Sequence, residues 1–368
     1  MLDLLFYIFI GIVAIQFVYY ILIFGNFSFA KLKPTNPKKI PVSIIVCAKN
    51  EAENVAKFVP LLLKQKYPEF EIVLIDDSSS DATLDIFEEF EKQNSNIKLV
   101  KVKNIEAFWG NKKFALTLGI KAAKHEYLLF TDADCYPESE NWLQAMSSHF
   151  TMKKTIVLGY GAYEKIQNSF INKIIRFETL LTATQYFGWA KIGKPYMGVG
   201  RNLAYKREEF FNVNGFIDHI KLRSGDDDLF VNQASNKTNT TICFSKDSFT
   251  YSKPKTSFKE WFTQKRRHVS TATNYKIFDR FQLSLFYISQ LLFFVVAATL
   301  LAFQYNWIII TSIIGFRYLF CWISLGYAAT KLKETDVIYW YPFMEFILIF
   351  TQLNIFITNL FSKPVHWK

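Results

Sequence analysis

The sequence of 368 residues predicts an α/β domain on a mostly parallel sheet, joined to transmembrane α-helices. Two observations predict it. Between residues 42 and 131, short apolar runs alternate with helix-period stretches in the order β-α-β-α-β-α-β. Toward both ends of the chain lie apolar runs of about 20 residues, the length that crosses a bilayer. Composition agrees, since 51% hydrophobic residues and 38 Phe stand beside a formal charge of +11, as in a membrane protein with a basic soluble part. Basicity fits an anionic membrane face or a phosphorylated substrate; no nucleic-acid-binding signature accompanies it, so nucleic acid is not an expected partner. Cys47, Cys135, Cys243 and Cys321 are far apart and form no C-x-x-C pair, which predicts a reduced compartment and no structural zinc.

The first apolar run, LLFYIFIGIVAIQFVYYILIF over 4–24, contains one strongly polar side chain, Gln16. It has no basic segment before it and no small-x-small site after it, so residues 1–30 read as an anchor and not as a cleaved signal. The basic, proline-containing KLKPTNPKK at 31–39 reads as a linker and cytoplasmic flank, which turns the amino terminus outward. Residues 31–255 form the soluble domain, expected on the cytoplasmic side of the cell (inner) membrane. Its strands are expected at 42–47, 71–75, 97–102 and 127–131, with helices at 51–64, 81–93 and 111–124. The first and last strands are nearly all apolar, as in strands covered on both faces. Residues 256–280 read as an amphipathic interfacial segment, and 281–368 as three more spans at 283–303, 307–329 and 338–360. Arg317 and Glu345 fall inside the last two, at depths that differ by ~6 Å. Either they pair and lock the helices or they line a path through the bilayer.

Ligands of such sheets bind beyond the carboxyl ends of the strands, and the unusual residues cluster there: Lys49-Asn50-Glu51, the DDSSSD loop from Asp76 to Asp81, and Asp132-Ala133-Asp134. In extended chain, residues i and i+2 point the same way, so Asp132 and Asp134 can converge on a divalent cation, Mg2+ or Mn2+. The ordinary alternative is a turn in which Asp134 caps the next helix. Ser80 or Asp81 is the expected cap of the helix after DDSSSD, leaving Asp76 and Asp77 to accept hydrogen bonds from a ribose or a base. Lys112 and Lys113, near Gly110 at a helix start, are either solvated or supply cations to a diphosphate. SGDDDLF, from Ser224 to Phe230, is either a solvated acidic loop or holds a partly desolvated carboxylate suited to general base chemistry. Within the amphipathic segment, Gln264 precedes Lys265-Arg266-Arg267, three basic residues fit to grip a diphosphate, and then His268.

Taken in order from Val42 to His268, these motifs resemble the membrane-bound glycosyltransferases of family 2, whose members include cellulose, chitin and hyaluronan synthases and ceramide glucosyltransferases. The resemblance implies a Rossmann-like GT-A fold and a nucleotide-diphosphate sugar donor. It implies donor binding by Asn50, Glu51, Asp76, Asp77, Lys112 and Asp132, with Asp132 and Asp134 holding the metal. Asp226 would be the general base, with Asp227 as the other candidate. Gln264, Arg267 and His268 would fall on the Gln-x-x-Arg-Trp motif that closes over the donor. Two residues depart from the pattern: His268 stands for the Trp, and Gly225 for the Glu of the usual Glu-Asp pair. The first departure argues against processive polymer synthesis and toward a lipid or lipid-linked glycan acceptor, as does the small number of spans. The aromatic stretch 170–194 carries no motif and is expected to shape acceptor choice. A catalytically dead nucleotide-sugar sensor and a transporter are the competing classes, both disfavoured by the intact Asp-Ala-Asp and by the size of the soluble domain.

Overall fold

The computed structural model describes residues 1–32, 36–103, 112–222 and 224–362. By internal contacts the chain divides into two units: an α/β unit of Leu32–Gln167 and Gly193–Pro254, and a helical unit of Met1–Lys31, Asn168–Ile192 and the stretch from Lys255 onward.

In the α/β unit the four expected strands form as β1 (Val42–Ala48), β2 (Phe70–Asp76), β3 (Ile97–Lys101) and β4 (Tyr127–Asp132). The helices Ala52–Leu63, Thr83–Gln93 and Lys112–Ala122 lie between them. Six short strands were not anticipated: β5 (Cys135–Pro137), β6 (Ile156–Leu158), β7 (Gly161–Tyr163), β8 (Leu203–Lys206), β9 (Thr240–Ile242) and β10 (Thr250–Ser252). The main sheet runs β3-β2-β1-β4-β8-β6-β9, and β5-β10-β7 form a second, small sheet. The contacts of β1 with β2 and β4, and of β2 with β3, are parallel, whereas β8 lies antiparallel between β4 and β6. Alternation along β1 sends Val42, Ile44 and Val46 into one buried cluster with Val55, Val59, Phe87, Trp142 and Met146. Ile45, equally buried, points to the opposite face. A strand covered on both faces has no polar side to show, which is why its sequence reads as an unbroken apolar run.

Among the described residues the helical unit contains four helices long and apolar enough to cross a membrane: Leu2–Ser28, Ile277–Ala302, Trp307–Lys331 and Tyr341–Phe361. Arg317 and Glu345 pair. Arg317 Nη1 donates to Glu345 Oε2 at 2.5 Å, Nη2 donates to Oε1, and Nε donates to Gln16 Oε1 at 2.6 Å. Gln290 and the Tyr341 hydroxyl donate to Glu345 Oε1 at 3.2 and 3.0 Å. The guanidinium lies over Phe293 and Tyr318. All four spans therefore contribute to one buried polar knot.

The stretch 170–194, expected within the soluble domain, forms a helix, Phe170–Lys191, that groups with the spans instead. Two features hold it there. Gly188 packs so closely on the first span that a Cβ would stand 3.0 Å from the Ile23 carbonyl oxygen. Arg176, itself buried, pairs with Glu334 and, at 2.6 Å, with Asp336 in the connection before the last span. The amphipathic segment is a helix, Phe258–Thr271.

Candidate active site

The register pairs Ala48 with Asp76 and Cys47 with Asp132, so β2, β1 and β4 end level with one another. Asp76 and Asp132 consequently stand about 10 Å apart, two interstrand spacings, at the carboxyl edge of the sheet. The chain turns sharply where it leaves β1 and β2, with positive φ at Asn50 (55°) and Ser78 (54°). Non-glycine residues held in this conformation carry strain of the kind that clusters at functional sites.

The two loops are sewn together. The Asn50 side-chain oxygen accepts from Ser80 N at 2.8 Å, Asn50 N donates to Ser79 Oγ at 3.0 Å, and Glu51 N donates to Thr83 Oγ1 at 2.8 Å. The Glu51 carboxylate accepts from Asn54 Nδ2 at 2.6 Å. The expected cap takes a different form. Ala82 occupies the cap position before Thr83, while Asp81 accepts from Thr83 N at 3.0 Å and from Ala52 N at 3.2 Å. One carboxylate thus serves the starts of two helices, because the loops that precede them lie side by side. Asp76 and Asp77 are buried. Burial raises the proton affinity of Asp77, with Lys49 opposing and Asp76 adding to the effect.

Lys112 is the hub. Its Nζ lies 2.7 Å from Asp132 Oδ1 and 3.0 Å from Asp226 Oδ2, which joins residues more than ninety positions apart in the chain. Burial works against its charge, but Asp132 and Asp226 outweigh burial and hold the ammonium well above its ordinary proton affinity. The reciprocal effect acts on Asp226, where burial favours the proton but Lys112 prevails and keeps the carboxyl below its usual range. A narrow cavity bounded by Cys47, Lys112, Asp132, Gly200, Asp226 and Asp227 opens at this point.

Asp227 differs from its neighbour. Its oxygens accept from Gly200 N at 2.5 Å and from Asp228 N at 2.8 Å, which caps the helix Asp228–Ala234. Burial and the adjacent Asp226 and Asp228 push its carboxyl up to about 7. Gly225, in place of the Glu of the resemblance, has a φ of +93°, a conformation that costs a side-chain-bearing residue too much. Lys113, expected either solvated or on a diphosphate, is buried, and its Nζ donates to three backbone carbonyls, those of His219, Leu222 and Ser224, at 2.7 to 2.9 Å. Gly110 and Asn111 lie outside the described residues.

Asp132, Asp134 and Cys135 bring their ligand atoms within 4.8 Å of one another. Loss of hydration and the nearby Asp132 raise the proton affinity of Asp134. Two oxygen donors that repel each other fit a hard divalent cation such as Mg2+ or Mn2+. Arg201 was not anticipated. It stacks over Tyr163 with 4.2 Å to the ring centroid, donates to Ala162 O and Ser252 Oγ, and adds a second positive charge beside Asp132 and Asp134. Its sequence signal is slight, a single arginine ahead of the apolar Leu203-Ala204-Tyr205.

Gln264, Arg267 and His268 belong to the helical unit, on Phe258–Thr271, where spacings of three and four residues put them on one face. The basic run between them is divided. Lys265 pairs with Glu178 at 2.5 Å, and Arg266 donates to Asn359 Oδ1 at 2.8 Å and Ser362 O at 2.6 Å. Two of the three cations expected on a diphosphate are thus held by their own unit, because a long side chain beside an apolar bundle is stabilised by the nearest carboxylate or helix end.

The sequence profile of glycosyl transferase family 2 matches residues 43–226. Poly-beta-1,6-N-acetyl-D-glucosamine synthase of Staphylococcus epidermidis is 41% identical over 93 residues, 25% of this chain and 21% of that protein. Cholesterol galactosyltransferase of Borreliella burgdorferi is 34% identical over 101 residues, 27% of either chain. The matched part therefore spans about a fifth to a quarter of the length of these relatives. Among solved structures, a mannosyltransferase from Pyrobaculum calidifontis in complex with GDP-Man and Mn2+ superposes with a TM-score of 0.58 at 18% identity, over 90% of this chain and 99% of that one. The α/β unit has the GT-A fold.

Proposed function

This chain belongs to glycosyl transferase family 2 and is a glycosyltransferase, and from that premise we propose that it transfers a sugar, with inversion, from a nucleotide-diphosphate donor to a lipid or lipid-linked glycan at a membrane. The observation that carries the reading is the meeting of Asp132, Lys112 and Asp226 at the carboxyl edge of the sheet.

In this reading an acceptor hydroxyl oxygen forms a bond to the anomeric carbon as the bond from that carbon to the diphosphate breaks. The electron pair leaves with the diphosphate and the hydroxyl proton passes to Asp226. Attack opposite the leaving group inverts the centre. Asp226 is preferred to Asp227 on geometry, which takes precedence over proton affinity in choosing a base. Both oxygens of Asp227 already accept backbone N–H groups, whereas Asp226 is held by a side chain that can move. Asp76 and Asp77 receive the nucleoside, with Asn50 and Glu51 shaping the loops around it. Asp132 and Asp134 would hold Mg2+ or Mn2+, which supplies positive charge to the departing diphosphate. By the resemblance Gln264, Arg267 and His268 would also serve the donor, Arg267 through its bidentate geometry. The basic flank at 31–39 supports a cytoplasmic α/β unit.

A polysaccharide synthase is the second reading, favoured by the likeness to the poly-beta-1,6-N-acetyl-D-glucosamine synthase and opposed by His268. Purified chain given a panel of labelled UDP- and GDP-sugars, membrane lipid and Mn2+ is expected to release nucleoside diphosphate and label organic-extractable lipid, and EDTA is expected to stop both. Label in a polymer retained at the origin would favour the second reading. No release from any donor would overturn both.

A further inference from the structure

Lys113 is a buried cation that the chemistry above does not use. It is 1% exposed, although it adjoins Lys112, whose ammonium faces the acids of the cavity. Successive helix residues project about 100° apart, so two neighbouring lysines at the start of Lys112–Ala122 reach different surroundings. Lys113 Nζ donates to His219 O at 2.7 Å, to Leu222 O at 2.9 Å and to Ser224 O at 2.9 Å. An ammonium carries three N–H bonds and no acceptor, which suits it to gather several carbonyls at once; that of His219 also accepts from Leu222 N at 3.0 Å. The three carbonyls come from the connection that leads through Gly225 into Asp226. Holding a charge there is costly: burial is the main influence on Lys113 and brings its proton affinity down to about 8, with Asp226, Asp228 and Asp227 working in the other direction. A lysine whose task was solubility would not be retained in such a place.

We propose that Lys113 is a positioning residue, which latches the carbonyls of His219, Leu222 and Ser224 so that the Asp226 carboxylate is presented to Lys112 and to the acceptor. The inference deepens the functional reading above and rests on it for the role of Asp226; the latch itself is a matter of backbone geometry. Lys112 and Lys113 then have complementary tasks, the first holding the side chain of Asp226 and the second holding the backbone that delivers it.

The test is backbone amide exchange by mass spectrometry on the full chain in nanodiscs, with peptides from β2 as internal reference. Lys113→Met is expected to raise exchange in peptides covering 219–227 at least tenfold and leave β2 peptides unchanged. With the active donor from the UDP- and GDP-sugar panel, kcat should fall at least tenfold while KM for the donor changes less than threefold. Lys113→Arg keeps the charge but presents a planar fork, and should recover part of both losses. Exchange within twofold of the parent in Lys113→Met, or in Lys113→Gln should the Met variant not fold, would overturn the latch whatever happens to turnover. Faster exchange in a protein whose parent transfers no sugar would keep the latch and reject the functional reading.

Discussion

Arg317 in the helical unit and Lys112 in the α/β unit are both cations held by acids, but their surroundings do not add up alike. Arg317 meets one carboxylate, Glu345, and among the described residues the pair's further partners are neutral: Gln16 and two aromatic faces for the guanidinium, Gln290 and Tyr341 for the carboxylate. Charge balances and donors match acceptors, as a buried pair requires if it is to repay its desolvation. Lys112 touches Asp132 and Asp226 and also feels Asp134 and Asp227. One ammonium in contact with two carboxylates and close to two more carboxyl groups is not matched one to one, although Arg201 and, at a distance, Lys113 add positive charge. A balanced cluster is complete in itself. An unbalanced one is built to receive a cation and the substrate that comes with it.

The largest expected effect breaks the unbalanced cluster. Asp226→Asn should lower kcat by about 10³-fold, within the range for a lost general base, with donor KM nearly unchanged; a loss of less than tenfold would remove Asp226 from that role. Next comes the balanced cluster. Arg317→Leu alone should destabilise the chain by about 3–5 kcal/mol because it strands a buried carboxylate, and Arg317→Leu with Glu345→Leu should recover most of that. Thermal unfolding in one detergent would reveal the coupling, and additive losses would contradict the knot. No such rescue is expected for Lys112 and Asp226, where removing both charges leaves the chemistry without its base.

The smallest effect concerns pH. A base must be ionised, and Lys112 holds Asp226 below the ordinary carboxylate range, so kcat/KM should stay level as pH falls from neutrality and drop only once the proton returns to Asp226. Lys112→Met removes the lowering influence and leaves burial in place, so that drop should move to higher pH. A parent profile that already falls near pH 7 would instead implicate Asp227, whose carboxyl is pushed up to about 7.

The legible parts of the sequence were those where one residue type has one physical outcome. Strands buried on both faces read as apolar runs, and β1, β2 and β4 were visible for that reason; the edge strand β3, with Lys98 and Lys101 exposed, showed only as a short apolar-polar mixture. β5 to β10, at three or four residues each, are too short to show a period, and β8 gives no sign that it runs antiparallel. The acids at the ends of β2 and β4 stood out as charged residues directly after apolar runs, although Ala133 and Asp134 lie in a turn and not in extended chain. The division of labour between Lys112 and Lys113 was hidden, since it depends on helix rotation and on a connection a hundred residues downstream. Lys265 and Arg266 misled for a related reason: a basic run shows its charge and conceals which carboxylates lie nearby. The helix Phe170–Lys191 was obscured because its polar residues, Arg176 and Glu178, are matched by partners at 334, 336 and 265.

The polar knot also sets an order of events during synthesis. Gln16 and Arg317 are separated by 301 positions, and a ribosome adding about 5–20 residues per second needs about 15–60 s to cover that distance. Throughout that interval the glutamine of the newly inserted first span waits among acyl chains for a guanidinium that has not yet been translated. A nascent chain cut short after the α/β unit would carry that unit on an unfinished anchor, with an amide exposed to lipid for membrane proteases to find.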